Sequence, residues 1–169
     1  MSAEIRDAVE DDAAEFLALR RRLFAETAFM LWEPAEFNAT IEDEQQYIRR
    51  LSNRRNSRLL VAASESSLVG FIAAIGGERN RQRHSALLVL GVARDSWSRG
   101  IGSRMLGEIV AWAPSVGLRR LELTVHTTKD RAIALYRRHG FDVEGTRRSS
   151  LLVEGRYVDE YLMSVIARG

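Results

Sequence analysis

The chain has 169 residues, 46% hydrophobic and 28% charged, the proportions of a soluble globular protein that buries its core within a single domain, residues 1–169. Its formal net charge of +2 is too small for a surface that tracks phosphates, so nucleic acid is not expected as a partner. Cysteine is absent, which excludes disulfides, thiolate metal sites and any cysteine-linked covalent intermediate; no metal ligand set is expected.

The first residues, MSAEIRDAVEDD, are acidic and polar, unlike a signal peptide. No apolar run approaches the roughly 18 residues of a membrane span. A cytoplasmic protein without membrane contact is expected. Residues 3–9 suit a short strand, after which Asp11 or Asp12 can cap a helix to about Ala25 with Phe16, Leu19, Leu23 and Phe24 inward. Residues 29–37 (FMLWEPAEF) are aromatic, contain Pro34 and lack helical period, which predicts a loop. A second helix is expected over 41–54, with Ile41, Tyr47, Ile48 and Leu51 inward. Residues 58–63 and 68–75 read as a hairpin, 76–83 as an Arg-rich loop, 85–92 as a strand and 102–113 as a helix. Residues 118–125 alternate as a strand, 130–139 form a helix closed by Gly140, and 141–150 with 156–166 form a last hairpin around Glu154-Gly155. This order predicts an α/β (α+β) fold: one mixed, mostly antiparallel central sheet of about seven strands, flanked by four helices.

One stretch carries chemistry. A hydrophobic strand, 85–92, leads through Trp97-Ser98-Arg99-Gly100-Ile101-Gly102-Ser103 into an amphipathic helix. Unpaired N–H groups at a helix start attract anions, glycines let a phosphate approach the main chain, and Arg99 adds a fork of donors. A dinucleotide fingerprint would need a small residue where Met105 stands and would normally open its domain; a P-loop would need Gly-Lys-Ser/Thr. Gly91, inside the strand, either relieves crowding in the core or marks a bulge. A bulge would splay this strand from 118–125 and leave amides for an extended ligand arm. Coenzyme A, with a pyrophosphate and an arm bearing two amides, has that form.

Three pieces in order, LLVLGV-x4-WSRGIGS, LELTV and AIALYRRHGF, resemble the GNAT superfamily of acyl-CoA-dependent N-acetyltransferases across about residues 58–168. The tail FDVEGTRRSSLLVEGRYVDEYLM looks most like bacterial members acting on small amines and amino acids. The resemblance implies acetyl-CoA as co-substrate. Main chain at Leu90, Gly91 and Val92 would hold the acetyl group and arm, and Trp97, Arg99, Gly100, Ile101, Gly102 and Ser103 would form the pyrophosphate turn. Lys129 and Ala132 would add further contacts, and Tyr136 would protonate the leaving thiolate; a half-buried packing aromatic is its alternative. Lys129 replaces the usual Asn, and Trp97 replaces the first Arg or Gln of the turn. The implied activity is acetyl transfer to a primary amine of a small molecule or amino acid by direct attack on the thioester. A protein N-terminal or ribosomal acceptor, motivated by Arg79, Arg81 and Arg83, and a non-catalytic acyl-CoA-binding module are the alternatives, and a homodimer is left open.

Attack needs a neutral amine, so a base must take a proton from an ammonium of pKa about 8 to 10. Relatives often carry a Glu where Leu87 stands here. Glu33, Glu36, His84, Glu122 and His126 are the candidates, Glu36 and His84 ranked first. Val92 N–H is the expected oxyanion donor. Residues 29–37 are expected to line the acceptor pocket, Trp32 and Phe37 favouring an apolar body and Glu33 and Glu36 its charge. Asp159 and Glu160 are expected as solvated hairpin charges or acceptor contacts, and His139 as a cation at a helix end.

Overall fold

The computed structural model describes residues 2–28 and 30–168. Four α-helices and seven strands occur in the predicted order: β1 (Glu4–Asp7), α1 (Ala13–Glu26), α2 (Ile41–Ser52), β2 (Arg58–Ala63), β3 (Leu68–Gly76), β4 (Ser85–Val92), α3 (Ile101–Trp112), β5 (Arg120–His126), α4 (Asp130–Arg138), β6 (Asp142–Val153) and β7 (Arg156–Ile166). They build one sheet in the order β1-β2-β3-β4-β5-β7-β6, antiparallel except where β4 meets β5. A crossover through α3 makes that one junction parallel, as a strand–helix–strand connection must.

Alternation along the strands sorts the core into two layers. Ala86 and Leu88 of β4 and Leu121, Leu123 and Val125 of β5 face α3 and α4, where Met105, Leu106 and Ile109 are fully buried. Val61, Phe71 and Ala73 face α1 and α2, against Phe16, Leu19, Leu23, Ile48 and Leu51. The predicted inner faces of both N-terminal helices hold, except that Ile41 is 44% exposed at the first position of α2. That helix starts with a reciprocal cap between Thr40 and Asp43: Asp43 N–H donates to the Thr40 hydroxyl at 3.2 Å, and Thr40 N–H to the Asp43 carboxylate at 2.8 Å.

Three expectations need correction. Asp12 does not cap α1; its carboxylate accepts from Val9 N–H at 2.8 Å and from both Arg6 Nη atoms, closing a single 3₁₀ turn before the helix. The last hairpin is longer than predicted, because β6 runs on to Val153 by absorbing a bulge between Arg147 and Leu151. Gly91 sits in unbroken register opposite Phe71, so there is no bulge there. A Cβ on Gly91 would stand 2.7 Å from Leu23 Cδ1 and 3.1 Å from the Phe71 ring, so the glycine serves the packing of α1.

Beneath the α1–α2 connection lies a buried ion pair. Glu44, 1% exposed, accepts from Arg20 Nη1 through both oxygens at 2.8 and 2.9 Å. The Arg20 guanidinium also lies 4.7 Å from the Phe37 ring centroid and between 5.3 and 5.9 Å from those of Tyr47, Phe16 and Phe24. Burial raises the Glu44 carboxyl against the opposing pull of Arg20, so the pair persists only while both members are present. Arg20→Ala is expected to cost about 3 to 5 kcal/mol in urea unfolding by stranding a buried carboxylate. Glu44→Gln in the Arg20→Ala background should recover part of that loss.

Candidate active site

The sheet opens at its parallel junction. β4 pairs with β5 only at Ser85–Arg120, Ala86–Leu121 and Leu87–Glu122, and the strands then diverge. Each remains paired along its other edge, β4 to β3 out to Val92 and β5 to β7 out to His126. The phase of β4 follows from two bonds, Ala93 N–H to Val69 O and Gly77 N–H to Ser85 O, both 2.8 Å. Odd-numbered residues of β4 therefore spend their main-chain groups on β3, and Leu90 and Val92 turn theirs into the gap. The splay expected from a bulge exists without one.

At the open end of the gap the chain turns through Ser98 (φ 65°) and Gly100 (φ 73°) into α3. A Cβ on Gly100 would meet nothing within 4 Å, and no side chain caps the helix, so its first N–H groups face open space. The Trp97 indole N–H donates to Val92 O at 2.7 Å and folds the turn back onto the strand end. Around that ring stand Arg94 at 5.7 Å and Lys129 and Arg131 at 6.0 Å. Arg131 reaches Ser98 Oγ at 2.6 Å. Trp97 thus gathers the positive charge that its own side chain lacks. Burial, and after it Arg94, hold the Lys129 ammonium below its ordinary range, so a bound anion would relieve this cluster. Arg99 is exposed on the turn.

Ile101 and Gly102 open the helix, and a Cβ on Gly102 would lie 3.5 Å from Leu135 and 3.8 Å from Leu90 and Val92. Ala132, on the first turn of α4, is half-buried against the same layer. Ser103 Oγ is engaged with His139 Nε2 at 2.9 Å. Burial, with Arg138, lowers the His139 pKa, so this residue ties α4 to α3 as a neutral partner instead of serving as the expected cation. Tyr136 is buried beside Phe141, ring centroids 5.9 Å apart, and burial pushes its phenol up to about 12. The phenol therefore carries its proton throughout the neutral range.

Of the two first-ranked bases, His84 is not brought to the gap. His84 is exposed three residues before Leu87, about 10 Å along the strand on the closed side of the junction. Its carbonyl accepts from Arg119 and Arg120 N–H, which closes that end of the sheet. Glu36 is exposed on the α1–α2 connection, where its carboxylate accepts from Glu33 N–H at 3.2 Å. Within the predicted loop, Trp32 is 46% exposed, Phe37 packs on Phe24, and Phe29 lies outside the described residues. Glu122, at the junction, is held by Arg120 at 2.6 Å, and Arg120 also binds Glu144. Arg120 and Ser164 bring the Glu144 carboxyl down to about 2. Asp159 is committed locally, accepting from Ser149 N–H at 2.7 Å. Sequence reasoning missed Arg94 and Arg131, although both flank the glycine turn and the short helix it singled out.

The model of the acetyltransferase (GNAT) family matches residues 11–141. The chain belongs to this family. It is 32% identical over 124 residues to L-amino acid N-acetyltransferase AaaT of Escherichia coli, covering 72% of this chain and 75% of that one. It is 34% identical over 132 residues to N-alpha-acetyltransferase RimI of Mycobacterium tuberculosis, covering 78% and 73%. A GNAT acetyltransferase from Streptococcus pneumoniae superposes with a TM-score of 0.94 at 32% identity, covering 98% and 99%. This acetyltransferase uses acetyl-CoA as co-substrate. The residues present fit that molecule: a helix start ringed by cations for its phosphates, and a free strand edge for its arm.

Gly102→Val is expected to remove the protection that coenzyme A gives against thermal unfolding and also to lower the unliganded melting point. One added carbon fits at ordinary contact, whereas a branched side chain intrudes between Leu90 and Leu135. A variant that titrates with coenzyme A as the parent does would place the phosphates elsewhere.

Proposed function

We propose that this acetyltransferase, acting as one unit over residues 1–169, transfers acetyl to the primary amine of a small, amino-acid-like acceptor. The observation that carries this reading is the free edge of β4, which runs from the helix start into the gap. Acetyl-CoA supplies an acetyl thioester, whose carbonyl carbon gains a C–N bond to the amine as its C–S bond breaks and leaves the electron pair on sulfur, while the nitrogen loses its surplus proton to solvent. Leu90 and Val92 pair with the arm as a neighbouring strand would. Val92 adjoins the phosphate turn and its carbonyl is taken by Trp97, so Leu90 N–H, one strand step deeper, is the better oxyanion donor. Arg94, Arg99, Lys129 and Arg131 hold the phosphate end. Tyr136, protonated at neutral pH, gives its proton to the departing sulfur and regains one from solvent.

The α1–α2 connection supports the choice of acceptor. It presents exposed Leu31 and Trp32 beside Glu33 and Glu36, an apolar surface with negative charge that suits an ammonium on an apolar body. A peptide N-terminus is the second reading, favoured by the identity to the mycobacterial enzyme. The arginines of 79–83 do not support it, because they sit at the end of β4 remote from the turn at Trp97.

Thiol release from acetyl-CoA, followed across L-amino acids, small amines and peptides, tests the acceptor class. Turnover is expected with free amino acids above peptides, and the reverse order would favour the second reading. Acetyl-CoA in large excess should raise the melting temperature while NAD should not. Tyr136→Phe should lower kcat by about 10²-fold, the low end for losing a general acid because a thiolate leaves readily, with coenzyme A affinity retained. Full turnover in that variant would make the tyrosine structural.

A further inference from the structure

Beyond the gap, the side of the sheet that carries Leu87 continues across β5 and β7 as a polar strip. Glu122, Thr124 and His126 of β5 stand opposite Ser164, Leu162 and Glu160 of β7. Two members of that strip are ionisable and deeply buried: His126 is 4% exposed and Glu160 7%. They form the last directly opposed pair of the ladder, so their Cβ atoms lie about 4.5 to 5.5 Å apart on one face. His126 also ends the strand whose other edge borders the gap, on the face where Glu122 meets Leu87.

Burying a carboxylate at the end of a hairpin requires a device, and β6 provides one. Between Arg147, opposite Glu160, and Leu151, opposite Val158, it carries two more residues than β7. The surplus folds over through Ser149 at φ 50°, which brings the Ser150 hydroxyl onto Glu160 Oε1 as a donor. Arg147 Nη1 lies 3.6 Å from the same oxygen. Bulges recur where a side chain must be re-aimed beside a site. Here the bulge orients a carboxylate whose neighbour across the ladder is an imidazole.

We propose that His126 is the base that takes the proton from the acceptor ammonium, and that Glu160 is the positioning residue that holds its imidazole. This inference rests on the amine-transfer reading above. The ammonium N–H bond breaks, its electrons stay on nitrogen for attack on the thioester carbonyl, and the proton passes to the ring and then to solvent. The strand beside the gap lacks an acid, and Leu87 stands exposed at the junction, so the proton acceptor comes from β5. The charged groups facing the ring are Glu160 from β7, with Arg147 of β6 behind it, and Lys129 from the start of α4; Glu122, held by Arg120, lies four residues back on the same face of β5. Burial lowers the His126 pKa, Lys129 adds to that, and Glu160 opposes both, which leaves a neutral ring at neutral pH. Activity should therefore fall as pH drops through the His126 pKa.

The test combines two readouts on the full chain. In NMR titration of the histidine ring protons, without co-substrate, Glu160→Gln should move His126 to a lower pKa, because the group that favours the imidazolium is gone. In rate profiles with L-amino acids and saturating acetyl-CoA, the same variant should move the acidic limb of kcat/KM down by an equal amount. His126→Gln should abolish that limb and lower kcat by about 10²-fold or more, with smaller change in KM and unchanged protection by acetyl-CoA. An unmoved His126 titration in Glu160→Gln, or a wild-type limb in His126→Gln, overturns the inference alone. Wild-type protein that binds acetyl-CoA and acetylates no amine overturns the amine-transfer reading and this inference with it.

Discussion

Everything in this molecule that serves chemistry depends on two half-sheets joined by three residue pairs. β1–β4 and β5–β7–β6 each hold long ladders, unbroken in register between β3 and β4 and between β5 and β7, and each half carries its own right-handed twist. Only Ser85–Leu87 against Arg120–Glu122 unites them, with the His84 carbonyl taking two more N–H groups at the closed end. Helix α3 packs on β2, β3 and β4 from one side, and its Met105, Leu106 and Ile109 share one buried cluster with Leu121 and Leu123 of β5. With the junction clamped at one end and packed from one side, divergence at the other end is the way left to accommodate both twists. The resulting unpaired edge is stable because it is open to a ligand and to water, not sealed in the core.

The charge arrangement follows from the same geometry. β4 ends where the gap is widest, and the α3 and α4 helix starts both arrive there, so two sets of unpaired N–H groups converge. Arg94 follows β4 while Lys129 and Arg131 come from the start of α4, and the exposed Trp97 ring is the common surface on which they assemble. On the opposite face, α1 and α2 pack on β2 and β3, and the polar residues of β5 and β7 lie beyond them. In the proposed reading, phosphates and acceptor take different sides of one opening.

Much of this was legible in the chain itself. Element order, the two inner helix faces and the glycine turn follow from local pattern, because period and turn chemistry are encoded within a few residues of each other. Gly91 shows where that legibility ends: a strand glycine signals either a bulge or a close neighbour, and the neighbour, Leu23, lies 68 residues away in sequence. The widest register shift falls in β6 between Arg147 and Leu151, where Arg148-Ser149-Ser150 carries no glycine to announce it. His126 and Glu160 were visible as residue types, but their opposition depends on strand order, β7 inserting between β5 and β6, which adjacent-hairpin reasoning does not supply. His84 stands at the start of β4, expected to flank the acceptor side, but the gap opens at the strand's other end, because β5 stops pairing after Glu122.

The Arg20–Glu44 pair links two properties that could otherwise vary independently. The α1–α2 connection, proposed to border the acceptor, is anchored through Phe37, whose ring rests on the same guanidinium that neutralises a buried carboxylate. A substitution that reshapes the connection to admit a different amine therefore also perturbs an ionic centre in the core. On the proposed reading, acceptor preference is thereby coupled to folding: the exposed Trp32 and Glu36 can change without touching the ion pair, while Phe37 is constrained by it.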